Sequence, residues 1–173
     1  LMISNSEITV FTKISNLIME LGKVQSTEDA YDTISSMVSN MISVEKEYFF
    51  RLENEKITEI KGTEYNKDIE DIIDWAISKG DISVFPDEEG SYVLIPVGNA
   101  NSVNFVYCVF TKEENFSNQF MLYARIMSFL MAQLFENLKL YGEILLKNID
   151  IEKNKIFLDS VLNSSNDAIV VFD

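Results

Sequence analysis

The chain has 173 residues, enough for one domain or for one domain with part of another, and 47% of them are apolar. Lys and Arg number 14 against 28 Asp and Glu, and the net charge of −14 disfavours binding to nucleic acid or anionic lipid. There is no histidine, which excludes a Ser-His-Asp triad, a Cys-His pair, His-ligated haem and a His-based zinc site within the chain. We therefore expect a protein that is not an enzyme and has no nucleic-acid partner.

The single cysteine, Cys108, cannot form an intramolecular disulfide, and a structural zinc site would need ligands that are missing. No metal and no cofactor is predicted. A chain with one thiol and no disulfide fits a reducing compartment, so we expect a cytoplasmic location.

Two helices are predicted first. Residues 7–23 carry apolar side chains at helical spacing, and Gly22 can end that helix. Ser26-Thr-Glu-Asp29 is typical of an N-cap followed by an acidic first turn, and it opens a second helix.

Strands alternate with a third helix in the middle of the chain. Aromatic-rich Glu47–Leu52 and Ile57–Lys61 are predicted as a pair of strands. Residues 68–79 are predicted as a helix that ends before Gly80. Three strands follow, at Ile82–Phe85, at Ser91–Val97, where Pro96 indicates a bulge or strand end, and at Val103–Phe110.

A long helix is predicted from about residue 118 to 162, with Ser117 as its N-cap. Its first part, FMLYARIMSFLMAQLF (residues 120–135), holds one charge, Arg125, and is shorter than the roughly 20 apolar residues of a membrane span. We expect no membrane span in this stretch. A helix that is apolar on all sides is buried on more than one side, so one face should cover the sheet and another should meet a second copy of the chain.

An apolar stripe continues along this helix with steps of three, four and four residues. Because it extends beyond any plausible globular core, it predicts a partner helix, and Glu152 on the same stripe weakens its far end. The alternative is a helix that folds back on its own domain. The predicted interface residues are Met127, Leu130, Leu134, Leu138, Tyr141, Leu145, Ile149 and Ile156.

The order of elements resembles a GAF domain over about residues 8–142. The best-matching stretches are Asp74–Gly80 with Ile82–Asp87, Ser91–Val97 with its proline, Val103–Phe110 with Asn115–Ser117, and Ala132–Tyr141. The resemblance implies an α+β fold, with an antiparallel sheet of about six strands. It places the N- and C-terminal helices on one face and a small-molecule pocket on the other.

Phe157–Asp173 resembles the opening of a PAS domain, with a short helix, a polar turn and the start of a strand. We therefore predict a GAF-like sensor domain at residues 1–141, a signalling helix or coiled-coil linker at 142–162, and a truncated PAS-like start at 163–173. The whole would be a fragment of a longer bacterial or archaeal sensor, for example from a two-component system.

The resemblance also implies a ligand site. Candidate lining residues are Phe49, Arg51, Trp75, Phe85, Val93, Ile95 and Tyr107. Arg51 could pair with a ligand carboxylate or, alternatively, with a local acid such as Glu59. Strand parity decides the set, because a shift of one residue replaces Val93 and Ile95 by Tyr92 and Leu94. Asn66-Lys67 matches only weakly the signature of GAF domains that bind cyclic nucleotides.

Two functions follow. The first is a cytoplasmic sensory or regulatory domain that binds an unidentified small molecule. It would dimerise through its N- and C-terminal helices and transmit the signal through a dimeric helical linker to a downstream output domain. The alternative is a ligand-free dimerisation and spacer module in a signalling protein, whose pocket is filled by its own side chains.

Overall fold

The computed structural model describes residues 5–54, 56–63, 69–99 and 102–170, and this part of the chain contains four helices and five strands. The helices are α1 (Asn5–Leu21), α2 (Thr27–Ser39), α3 (Glu70–Lys79) and α4 (Asn118–Val170). The strands are β1 (Lys46–Glu53), β2 (Lys56–Gly62), β3 (Ser83–Asp87), β4 (Gly90–Asn99) and β5 (Ser102–Thr111).

The predicted helix signals are confirmed. The Ser26 hydroxyl accepts a hydrogen bond from the Asp29 amide at 3.1 Å, as an N-cap does. Gly80 ends α3 in the left-handed conformation, with φ of 62°. The Ser117 hydroxyl accepts a hydrogen bond from the Phe120 amide at 3.1 Å and caps α4.

The strands form one antiparallel sheet in the order β2-β1-β5-β4-β3. The described residues therefore give five strands, where the sequence predicts about six. The register between β4 and β5 shifts between Val97 and Gly98, next to Pro96, as the proline predicts. The α+β class and the antiparallel sheet are confirmed.

Each face of the sheet is covered by helices. On one face, which we call the three-helix face, α1, α2 and the first part of α4 pack on a core that includes Leu17, Ile34 and Met127. On the other face, the α3 face, α3 packs through Ile69, Ile73 and Ala76. The N- and C-terminal helices thus share one face, as predicted.

The chain divides into two compact units, Leu1–Phe135 and Glu136–Asp173, and α4 contributes residues to both. The three-part division predicted from the sequence stays a prediction.

The end of the chain differs from the predicted PAS-like start. The sequence predicts a turn and a strand after a short helix, whereas α4 stays helical to Val170, and residues 171–173 lie outside the described residues. A helix satisfies its backbone groups locally, whereas a strand needs a paired neighbour. The PAS-like start is not confirmed.

Candidate functional site

The seven predicted ligand residues lie on both faces of the sheet. Phe49, Val93, Ile95 and Tyr107 belong to the core of the three-helix face. Trp75 and Phe85 lie on the α3 face, with Phe85 packed against its core. Because the sheet separates these two groups, the seven residues do not line one cavity in this structure.

Strand parity explains the difference. The buried side chains of the sheet that pack in one cluster with α3 are Tyr48, Phe50, Leu52, Leu94, Val106 and Cys108. Both faces of β4 and β5 are apolar, so alternation of polar and apolar residues carries no signal about which residue faces which helix. The order of elements predicts α3 but not the residues of the sheet that it covers.

The α3 face is filled with side chains in this structure. Ile73 and Ala76 are fully buried, and they pack in one cluster with Phe50, Leu94 and Cys108, which are also fully buried. Burial raises the pKa of the Cys108 thiol to about 12, so this thiol is protonated and poorly nucleophilic near neutral pH.

Trp75 stands on the exposed flank of α3. Its side chain is 44% exposed, its ring contacts the Phe85 ring edge-on at 4.9 Å between centroids, and the Lys79 ammonium lies 5.5 Å from its centroid. It is the single tryptophan of the chain, so its fluorescence reports on the environment of α3.

Arg51 is paired with local acids. Its guanidinium lies 3.7 Å from the Glu59 carboxylate and 3.8 Å from the Glu53 carboxylate. The structure therefore shows the alternative pairing with Glu59, and the side chain is half exposed. Nearby, burial and the Glu59 charge raise the pKa of Tyr31 to about 12, while Arg51 opposes the rise.

The first part of α4 explains the apolar stretch at residues 120–135. Its inner side chains, Phe120, Tyr123, Ala124, Met127 and Met131, are buried in the core of the three-helix face. Polar links hold the same segment, since the Ser128 hydroxyl donates to the Pro96 carbonyl and Arg125 donates to Asp81. The prediction that one face of this stretch covers the sheet is correct.

The eight predicted interface residues differ in exposure. Met127 is fully buried in the core of its own chain, which removes it from the surface offered to a partner. Leu130 and Leu134 are partly buried against the same core, and Leu138 is half-buried. The remaining four side chains are exposed, namely Tyr141 (72%), Leu145 (61%), Ile149 (44%) and Ile156 (63%).

A second apolar stripe lies on the later part of α4. With about 100° of rotation per residue, it lies about a third of a turn around the helix from the predicted stripe. Its positions 144, 151 and 158 are seven residues apart, a spacing that the sequence analysis missed. The five exposed residues are Leu140, Ile144, Ile151, Leu158 and Leu162.

A groove of about 750 Å³ opens between α1, α2 and Tyr123 of α4. Sequence reasoning missed it, although polar residues recur at helical spacing on both helices. Burial raises the pKa of the Tyr123 hydroxyl to about 12, so it stays neutral. The lining residues are Lys13, Asn16, Glu20, Asp32, Thr33, Ser36, Met37, Asn40, Met41 and Tyr123.

Two predictions concern other features of the chain. Asn66-Lys67 lies outside the described residues. In the part of the chain that the structure describes, no helix has the length and hydropathy needed to cross a membrane.

Solved GAF domains share this fold. The GAF domain of a phosphoenolpyruvate-protein phosphotransferase from Coxiella burnetii has a TM-score of 0.64 at 10% identity, over 81% of this chain and 99% of that one. The corresponding domain from Acinetobacter has a TM-score of 0.62 at 15% identity, over 82% and 99%. The GAF domain of a two-component sensor histidine kinase from Bacillus halodurans has a TM-score of 0.54 at 16% identity, over 69% and 99%.

No protein-family model and no curated protein matches the sequence. The chain thus has the fold of a GAF domain, as its order of elements indicates.

Proposed function

We propose that this chain is a cytoplasmic sensory or regulatory domain of a signal-transduction protein. It responds to a small molecule at the α3 face and passes the response through a pair of α4 helices to a downstream output domain. The observation that carries the proposal is that α4 is one helix with two kinds of surface. Residues 120–131 include core side chains beneath the sheet, and residues 140–162 carry exposed apolar side chains.

The exposed side chains give an estimate of what pairing could contribute. The four exposed members of the predicted stripe are 44% to 72% exposed, so burying them in two chains is worth roughly 7–14 kcal/mol. Association costs about 4–15 kcal/mol before side chains are ordered. The stripe alone therefore gives marginal pairing.

Helix α1 exposes about as much apolar surface as the predicted stripe of α4 does. Four of its side chains are between 51% and 66% exposed, namely Ile8, Phe11, Ile18 and Met19. They point away from the core that Leu17 and Leu21 join. We therefore propose a homodimer that uses α1 as well as α4, and this additional burial makes pairing favourable.

The ligand response requires two arrangements of α3. The α3 face is packed with side chains in this structure, so a small molecule would bind an arrangement in which α3 has shifted from the sheet. A ligand that prefers the shifted arrangement draws the population toward it. The effect on output is limited by the difference between its affinities for the two arrangements.

A second candidate function is favoured by the same packing. If α3 does not move, the chain is a ligand-free dimerisation and spacer module whose pocket is occupied by Phe50, Ile73 and Leu94. The dimer and the continuous α4 are common to both functions. Only the response of α3 to a small molecule separates them.

A ligand screen on the purified chain tests the choice. Each compound is scored by the fluorescence of Trp75 and by the midpoint of thermal unfolding, because a ligand of the folded state stabilises it. A compound that changes both and also changes amide exchange in α4 supports the sensor. A dimer in which no compound of a broad metabolite set changes either signal favours the spacer.

The pairing face is tested separately with Ile149→Asp, which places a charge on the predicted stripe. Asn154→Asp adds the same charge on the opposite side of the helix and is the matched control. We expect Ile149→Asp to be monomeric and the control to remain dimeric in sedimentation experiments.

A further inference from the structure

Helices α3 and α4 lie on opposite faces of the sheet, yet an ion pair joins α4 to the connection between α3 and the edge strand β3. The Arg125 side chain of α4 donates from Nε to Asp81 Oδ1 at 3.3 Å and from Nη2 to Asp81 Oδ2 at 3.1 Å. Asp81 directly follows Gly80, the C-cap of α3. Two parallel hydrogen bonds from one guanidinium fix direction as well as distance.

Asp81 also makes hydrogen bonds to the two residues that follow it along the chain. Its Oδ1 accepts a hydrogen bond from the Ile82 amide at 2.8 Å, and its backbone carbonyl accepts one from the Ser83 hydroxyl at 3.0 Å. Ser83 is buried and opens β3, where it pairs with Leu94 of β4. The carboxylate therefore lies in the short connection between the end of α3 and the start of β3.

The backbone of α4 at Arg125 is also held in place, by the core of its own domain. Its neighbours Ala124 and Met127 have 1% and 0% of their surface exposed in the core beneath the sheet. The Ser128 hydroxyl, one turn further along, donates to the Pro96 carbonyl of β4. The backbone of α4 at Arg125 cannot shift without disturbing that core.

We propose that the Asp81–Arg125 pair couples the position of α3 to that of α4. A shift of α3 that displaces Asp81 breaks both hydrogen bonds and releases Arg125, so the change at α3 reaches α4. The proposal rests on the proposed function in that it gives the α3 response a direct route to the signalling helix. It also accounts for the single charge of the apolar stretch at residues 120–135.

Both partners are more than half exposed, so solvent screens the pair and its effect on global stability is small. The coupling is instead measured locally, by amide hydrogen exchange in α3 peptides and by acrylamide quenching of Trp75. Three variants form a cycle, Arg125→Gln, Asp81→Asn and the double variant, and Asn keeps the oxygen that the Ile82 amide needs. Lys23→Gln breaks the exposed Lys23–Glu20 pair of α1 and is the matched control.

We expect Arg125→Gln, a change in α4, to raise amide exchange in α3 by about two- to fivefold and to increase quenching of Trp75. Asp81→Asn should have the same effect, and the double variant should be no worse than either single one, because the two side chains act as one unit. Lys23→Gln should leave α3 unchanged.

Two results would overturn the proposal: unchanged α3 exchange in Arg125→Gln, or single effects that add in the double variant. Neither depends on a ligand or on dimerisation, since the cycle can be repeated in the Ile149→Asp background. A monomeric wild-type chain or an empty ligand screen would count against the proposed function and would leave this result standing.

Discussion

At the scale of single residues, Cys108 illustrates how burial decides chemistry. It lies in β5 opposite Tyr48 and Leu94, with no exposed surface, and burial raises the pKa of its thiol from 9.0 to about 12. The unfolded chain therefore releases this proton first as the pH rises. The stability that the protonated thiol contributes is complete below pH 9.0 and is lost as the pH rises toward about 12.

This burial predicts slow thiol labelling. We expect the native chain to react with a thiol reagent at pH 8 to 9 much more slowly than the chain in urea, because the reagent reaches Cys108 only when α3 shifts from the sheet or the chain unfolds. The measurement is the absorbance of the thiolate that the reagent releases, recorded against time. Equal labelling rates in the native chain and in urea would contradict the burial of Cys108.

Ile73 gives a second residue-level test. It is fully buried beneath α3, so Ile73→Ala removes packed methyl groups and should lower the free energy of unfolding by about 2–5 kcal/mol. Ile72→Ala, one residue earlier on the half-buried flank of α3, is the control and should cost less. Urea unfolding followed by circular dichroism measures both, and equal losses would contradict the described packing of α3.

At the scale of helices and strands, the sequence predicts the elements better than the site. Capping residues such as Ser26, Gly80 and Ser117 act through local hydrogen bonds and backbone conformation, so their signal is readable without the fold. The faces of β4 and β5 are decided by packing on both sides. The sequence therefore predicts Val93 and Ile95 in the pocket, whereas in the structure Leu94 and Cys108 pack with α3.

The predicted stripe on α4 shows the same limit. Its period correctly gives a helix with an apolar face, but it does not say where the domain's own core ends. Met127 lies inside that core and Tyr141 lies outside it, although both fit one repeat. The second stripe, which includes Ile144 and Ile151, is less regular along the sequence, because the polar residues 147, 148, 154 and 155 interrupt it.

Gly142 tests how closely the paired helices approach. It lies inside α4, and a Cβ atom added there meets nothing within 4 Å in the single chain. Gly142→Ala should therefore stabilise the helix by up to about 1 kcal/mol and raise the midpoint of thermal unfolding. A lower midpoint, together with loss of the dimer, would contradict that expectation. It would indicate that the partner helix packs against the glycine.

At the scale of the whole molecule, charge opposes pairing and apolar surface favours it. Two chains that each carry a net charge of −14 repel one another, and added salt screens that repulsion. The dimer we propose, built from the exposed side chains of α1 and α4, should therefore bind more tightly as ionic strength rises. Sedimentation equilibrium between about 0.02 M and 0.5 M salt should show a dissociation constant that falls with salt.

The opposite trend in that experiment would mean that ion pairs across the interface hold the dimer together. Lys147 and Lys153 of one chain facing Glu143 and Glu152 of another would then be the first residues to neutralise. The apolar stripes would have a smaller share in pairing than their exposure implies.

The most direct test of the account is native mass spectrometry of the purified chain at micromolar concentration, beside Ile149→Asp. We expect a dimer mass for the wild type and a monomer mass for the variant, because the proposed interface of α1 and α4 includes the exposed stripe that Ile149 belongs to. An additional mass of a few hundred daltons on the dimer would identify a bound metabolite. A wild-type monomer would contradict the account, since α4 would then have no paired helix through which to transmit a signal.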